Sequence, residues 1–314
     1  MHRLNRTLFI SAIFCFLLAG GALVAQDPVF RADARLVVLH ASVVDRHGKL
    51  VTNLPQKAFK VYENGVEQQI RIFRREDVPV SLGLVVDNSG SMKARRETVE
   101  AAALGLVKAS NKDDRVFIVN FNDEAYLDVP FTASIEKLEE GVARIDSRGG
   151  TAMRDAISMS IDYMRDEGKL DKKVILAITD GDDNASVLTL EQLVRKGQQS
   201  ELLIYIIGLL DEEDRGVARR AQRALTAISE ASGGLAFFPK ALTEVSGLTL
   251  QVAHEIRNQY IIAYSPSNQT LDGGYRTIQV KVDGPNSPVA RTRTGYYATP
   301  DDRQKSAALP RAAN

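Results

Sequence analysis

The chain has very little cysteine and no tryptophan: the only Cys in 314 residues is Cys15, inside the apolar run near the start. Phe14 directly before it is too bulky for a lipoprotein cleavage site, so Cys15 reads as filler. Without that run the chain has no disulfide and no cysteine nucleophile, and at this length it buries a core without staples. Histidine is scarce too. His40, His47 and His254 lie beyond the leader and show neither zinc-ligand spacing nor a place beside a serine motif. The formal net charge is +0, which is not the basic balance of a phosphate-tracking nucleic-acid binder. Arg71-Ile72-Phe73-Arg74-Arg75 is a local basic cluster that reads as a solvated strand edge. There is no Gly-x-x-x-x-Gly-Lys phosphate loop and no Gly-x-Gly-x-x-Gly. These absences remove most catalytic equipment and favour binding over catalysis.

A targeting segment opens the chain. His2, Arg3 and Arg6 form a positive start, and residues 7–25 follow without a charge. Gly20, Gly21, Ala22 and Ala25 supply the small residues of a cleavage site, so 1–25 is expected to be a signal peptide, cut after Ala25 or Ala22. The protein is then exported, periplasmic or secreted. The alternative is an uncleaved N-terminal anchor, since about 20 apolar residues span a bilayer. No later segment approaches that length, so no span is expected in the mature chain.

Three blocks follow. Residues 30–76 are β-rich: 35–44 are enriched in β-branched residues, and 59–70 read as a hairpin turning at Asn64-Gly65. Residues 79–257 alternate apolar strands (81–86, 115–120, 173–179, 202–208 and 235–238) with helix candidates (93–110, 134–145, 152–165, 189–199, 215–231 and 242–257). That alternation predicts an α/β fold with a doubly wound, mostly parallel, Rossmann-like sheet. Residues 259–298 are again β-rich, with strands at 260–264 and 277–282, and 300–314 is expected to be a disordered tail. The flanks are each too short to bury much alone. They are therefore expected to pack together as a second, smaller β-rich domain, with the α/β block inserted between them.

The chemistry-bearing residues sit at element ends. Asp87-Asn88-Ser89-Gly90-Ser91 follows the apolar run 82–86, Thr151 follows Gly149-Gly150 at a helix start, and Asp180 ends the strand 173–179. In doubly wound sheets ligands bind beyond the carboxyl ends of the strands, where Asp87 and Asp180 should converge. The two carboxylates and the hydroxyls of Ser89, Ser91 and Thr151 suit a hard cation such as Mg²⁺, which keeps several waters and takes few carboxylates. Each piece alone also fits a helix cap or a turn; the ordered set favours metal. Asp182, Asp183 and Asn184 read as a solvated acidic loop or, alternatively, a second cation or partner contact. Asp123-Glu124 reads equally as a plain loop or as outer support for the site.

With these residues in view, the middle block resembles a von Willebrand factor type A domain. Asp87, Ser89 and Ser91 match the first motif of that family's metal-ion-dependent adhesion site, Thr151 the second and Asp180 the third. The flanks, with Phe59 to Gly65 and Tyr260 to Pro266, resemble those of exported bacterial proteins carrying such domains. The resemblance implies Mg²⁺ or Mn²⁺, ahead of Ca²⁺, at the site, in a protein-binding or adhesion module where a partner supplies a carboxylate to the bound metal. The alternative it leaves open is a structural or assembly subunit of an envelope complex, with the metal fixing a permanent partner. With the α/β block inserted, the last helix, 242–257, would join metal site and β-rich part, and the resemblance implies that rearrangement at the metal site shifts it.

Overall fold

The computed structural model describes residues 35–75, 77–143, 147–181, 183–210 and 214–299. The expected signal peptide 1–25, the expected disordered tail 300–314 and Asp182 lie outside the described residues.

The centre is a six-stranded sheet in the order β10-β9-β8-β5-β6-β7. Its strands are β5 (Val80–Asp87), β6 (Arg115–Phe121), β7 (Ala125–Thr132), β8 (Lys172–Thr179), β9 (Leu203–Gly208) and β10 (Ala236–Phe237). All neighbours are parallel except β6 and β7. β5 is buried along its whole length, so it reads as a continuous apolar run rather than an alternating one. Leu82, Leu84 and Val86 face one helical layer with α1 (Arg96–Lys108), α2 (Ile135–Ala143) and α6 (Val245–Arg257). Val85 faces the other layer, with α3 (Met153–Glu167), α4 (Leu190–Gln199) and α5 (Arg215–Ser232). Gly83 is required where it stands: a Cβ there would lie 2.3 Å from the Phe117 ring. Each aliphatic side chain removed from water in these layers contributes roughly 1.5–3 kcal/mol.

From β5 the chain runs to β6 on one side and returns through α3 to β8 on the other. The connections thus part between β5 and β8, which opens a crevice outside their carboxyl ends. Asp87 ends one of these strands and Asp180 follows the other.

Strands from both flanks make two four-stranded antiparallel sheets. One has the order β13-β1-β11-β4, from β1 (Val37–Val44), β4 (Ile70–Arg74), β11 (Tyr260–Tyr264) and β13 (Val289–Arg291). The other has the order β14-β12-β2-β3, from β2 (Phe59–Glu63), β3 (Val66–Gln68), β12 (Tyr275–Val282) and β14 (Gly295–Tyr297). Leu39 pairs with Ile262 in the first and Val61 with Val280 in the second, and all four share one core. The turn between β2 and β3 is built on positive φ at Asn64 (48°) and Gly65 (79°), the signature of a type I′ hairpin. The basic cluster at 71–75 falls on β4, an edge strand, with Arg75 directly after it.

The sequence reading placed no strand at 125–132, where β7 runs antiparallel along the sheet edge. Asp128 and Pro130 interrupt its apolar pattern, and an edge strand tolerates a residue without an N–H. The helix expected from residue 93 begins instead with a 3-10 segment, Gly90–Arg95, before α1. Among the described residues no helix is long and apolar enough to cross a membrane.

Candidate metal centre

Asp87 is 1% exposed and its carboxylate is held at both oxygens. The Ser89 backbone N–H donates to Oδ1 at 2.8 Å, and the Thr179 hydroxyl donates to Oδ2 at 2.7 Å. Thr179 in turn accepts from the Gly181 N–H at 3.0 Å, which shapes the turn carrying Asp180. Ser89 and Ser91 bring their hydroxyl oxygens to 3.0 Å of each other; Ser89 is buried and Ser91 exposed. Alternate residues leaving a strand into a 3-10 turn place both hydroxyls on one side.

Thr151 is buried and is positioned through its backbone. Its N–H donates to the Asn184 side chain at 2.9 Å, and its carbonyl accepts from the N–H groups of Asn184 and Ala185. The preceding segment is strapped to the Asp87 loop by Gly90 N–H to Gly149 O at 3.0 Å and Arg148 N–H to Asn88 O at 2.8 Å. Gly149 has φ +77°, and a Cβ on it would overlap the Asp123 carboxylate, which accepts the Gly150 N–H. Three chain segments far apart in sequence are therefore tied together by their main chains.

The electrostatics are those of an under-neutralised pair. Burial, and then the negative charge of Asp180, push the Asp87 carboxyl up to about 6, against the hydrogen bonds from Ser89 and Thr179. Asp180 Oδ1 is buried without a hydrogen-bond partner. Its Oδ2 has Arg95 Nη1 at 3.6 Å, a long contact for an ion pair. A buried carboxylate oxygen without a donor is costly unless a ligand completes it. Among the described residues no group of three or more His, Cys, Asp or Glu converges. Two carboxylates plus hydroxyls fit Mg²⁺, which keeps several waters and takes few carboxylates. Asp87, Ser89, Ser91, Thr151 and Asp180 are the residues that would hold it.

Several neighbours have roles the sequence reading did not assign. Asp183 is not solvated: it accepts the Arg154 N–H at 2.7 Å and pairs with the Arg154 guanidinium at 2.9 Å, so it caps α3 from a distant loop. Asn184 holds Thr151, and Asp123 holds Gly150. Thr179 and Arg95 are the closest supports missed. Thr179 stands directly before Asp180 and Arg95 four residues after Ser91, spacings that carry no motif by themselves. His40 lies in β1, His47 in the turn after it and His254 near the end of α6, none on the strand ends that carry the site.

Residues 82–182 match the family model of the von Willebrand factor type A domain. A solved von Willebrand factor type A structure from Catenulispora acidiphila superimposes with a TM-score of 0.50 at 11% identity, covering 89% of this chain and 78% of that one. The fold is von Willebrand factor A-like. An uncharacterised Synechocystis sp. protein is 31% identical over 192 residues, 56% of this chain and 44% of its own length. An uncharacterised protein of Borreliella burgdorferi is 25% identical over 214 residues, 66% of this chain and 60% of its own length. The chain thus spans less than two thirds of either curated relative.

Proposed function

We propose that this chain is an exported binding module whose von Willebrand factor A-like part captures a carboxylate of a protein partner through a divalent cation, Mg²⁺ or Mn²⁺, held as in a metal-ion-dependent adhesion site. The observation that carries this is the pair of buried carboxylates ending neighbouring parallel strands, one with an orphaned oxygen, beside two hydroxyls in contact. The cation would supply an open coordination position for an anionic oxygen. The chain's own residues orient its ligands: Thr179 and the Ser89 N–H fix the Asp87 carboxylate, and Asn184 fixes Thr151. Catalysis is disfavoured because none of His40, His47 and His254 lies on the strand ends that carry Ser89 and Ser91.

Titration calorimetry with Mg²⁺ and Mn²⁺ tests the reading on wild type, Asp87→Ala and Asp180→Ala. Saturable binding is expected in the wild type and loss of it in both variants. A wild type that takes up neither ion, or variants that bind as well as it does, would sink the proposal.

A further inference from the structure

Arg95 stands where local helix chemistry disfavours it. It is the residue directly before α1, at the positive end of that helix, and its side chain caps no backbone N–H. Ser, Thr, Asp and Asn suit that position, and a cation beside it is unfavourable. Local stability therefore does not account for Arg95.

Its place beside the metal centre does. The 3-10 segment Gly90–Arg95 carries Ser91 near its start and Arg95 at its end, and buried Met92 anchors it in the core. Arg95 Nη1 donates to the Ser91 carbonyl at 3.4 Å and lies 3.6 Å from Asp180 Oδ2. Two of the residues that would hold a cation thus also hold Arg95, one by its main chain and one by its carboxylate. The other Asp180 oxygen, Oδ1, is the buried one without a hydrogen-bond partner. The contact is not built like a structural pair. Asp183 takes the Arg154 guanidinium at 2.9 Å on one oxygen and the Arg154 N–H at 2.7 Å on the other. Asp180 has a single Nη1 at longer range, shared with a carbonyl, from a side chain that is 20% exposed. A loose pair of this kind contributes little to stability. What it supplies is a fixed positive charge beside two carboxylates.

We propose that Arg95 is a tethered counter-cation that shares Asp180 with the divalent cation, opposes its binding and so sets the affinity of the centre. This rests on the metal-centre reading. A guanidinium cannot lose its charge by titration, so the opposition is permanent. It repels the cation while both are drawn to the same carboxylate. The charge balance gives the arrangement a use. Two ionised carboxylates and a divalent cation sum to neutral, and Arg95 then leaves the loaded centre net positive. That favours an anionic oxygen from a partner over a neutral one.

Calorimetry with Mg²⁺ and thermal melts in chelator, on the full chain, compare wild type, R95Q and R95K. R95Q is expected to bind Mg²⁺ about tenfold more tightly than the wild type, with a difference that shrinks as salt rises. Its melting temperature in chelator is expected to fall by about 2–4 °C, because the carboxylates lose a neighbouring cation. R95K keeps the charge and is expected to stay within about threefold of the wild-type affinity. The opposite signs carry the test: an Arg95 that only braced the turn would lower melting temperature and metal affinity together. An R95Q affinity at or below that of the wild type overturns the proposal and leaves the metal-centre reading standing. So does an R95K that binds as tightly as R95Q, since charge would not be the cause. Uptake of Mg²⁺ by R95Q but not by the wild type supports the proposal in its strongest form. Uptake by neither overturns both readings.

Discussion

Two buried carboxylate clusters in this chain make opposite use of the same chemistry. In the antiparallel part, Glu63 is 3% exposed and its environment is closed: Tyr264 and Tyr296 donate to Oε2 at 2.8 and 3.0 Å, and Arg276, also 3% exposed, lies 3.4 Å from Oε1. Burial and the bond to Glu63 raise both tyrosines, so they remain protonated donors. Arg276 also donates to the carbonyls of Asn268 and Thr270, which pins the loop before β12. At the crevice of the parallel sheet, Asp87 and Asp180 face each other with one distant guanidinium and one orphaned oxygen. A buried charge that is fully partnered belongs to the architecture; one left short of partners is the candidate for a ligand.

The sharpest way to break this contrast is to remove the closed carboxylate. Glu63→Ala leaves the buried Arg276 with the carbonyls of Asn268 and Thr270 and the exposed Asp272 at 3.5 Å, and strands two tyrosine hydroxyls. A loss of about 3–5 kcal/mol in urea unfolding is expected, the usual cost of breaking a buried pair from one side. A loss below about 1 kcal/mol would mean that the cluster is no more structural than the crevice.

The open cluster should respond in the opposite direction. The Asp87 carboxyl is raised to about 6 in the fold from an ordinary 3.8. A raised acid favours the fold when protonated, so the metal-free protein should lose stability as pH rises through about 4 to 6. That elevation corresponds to about 3 kcal/mol, at about 1.36 kcal/mol per pH unit. Asp87→Asn should flatten that dependence and leave the metal-free protein more stable at pH 7 than the wild type. A bound cation favours the carboxylate and should reverse the slope, so Mg²⁺ should stabilise the wild type only above this window. Unfolding curves in chelator at several pH values measure all of this. A wild type whose metal-free stability rises over the same window would refute the picture.

The difference between the clusters also explains what the sequence revealed. Asp87, Ser89, Ser91, Thr151 and Asp180 stand out in the sequence because each sits at the end of a strongly apolar strand or beside glycines, where a short pattern marks an element boundary. The strands β5, β6, β8 and β9 were legible because both faces are buried. β7 was not, since an edge strand with Asp128 and Pro130 has no such run. Glu63 was invisible: it lies inside the hairpin strand β2, and its partners stand about two hundred residues away in sequence. Asp183 was misread for the same reason, because its partner Arg154 lies 29 residues upstream. Patterns within a few residues of each other can be read directly; pairings made by the folded topology cannot.

Thr179 lies between these cases and supports the smallest prediction. It is fully buried at the end of β8, donates to Asp87 and accepts from Gly181. Thr179→Val keeps the shape of the side chain and removes its oxygen. Gly181 then loses its acceptor and Asp87 Oδ2 the Thr179 donor, which should cost about 1–2 kcal/mol of stability. If Thr179 orients the Asp87 carboxylate for a cation, Mg²⁺ affinity by calorimetry should also fall by about tenfold, the low end of what supporting residues contribute to metal sites. The two readouts separate its roles. A stability loss with Mg²⁺ affinity intact would make Thr179 a structural peg of the turn, whereas a loss in both would tie the last residue of β8 to the centre that Asp180 helps to form.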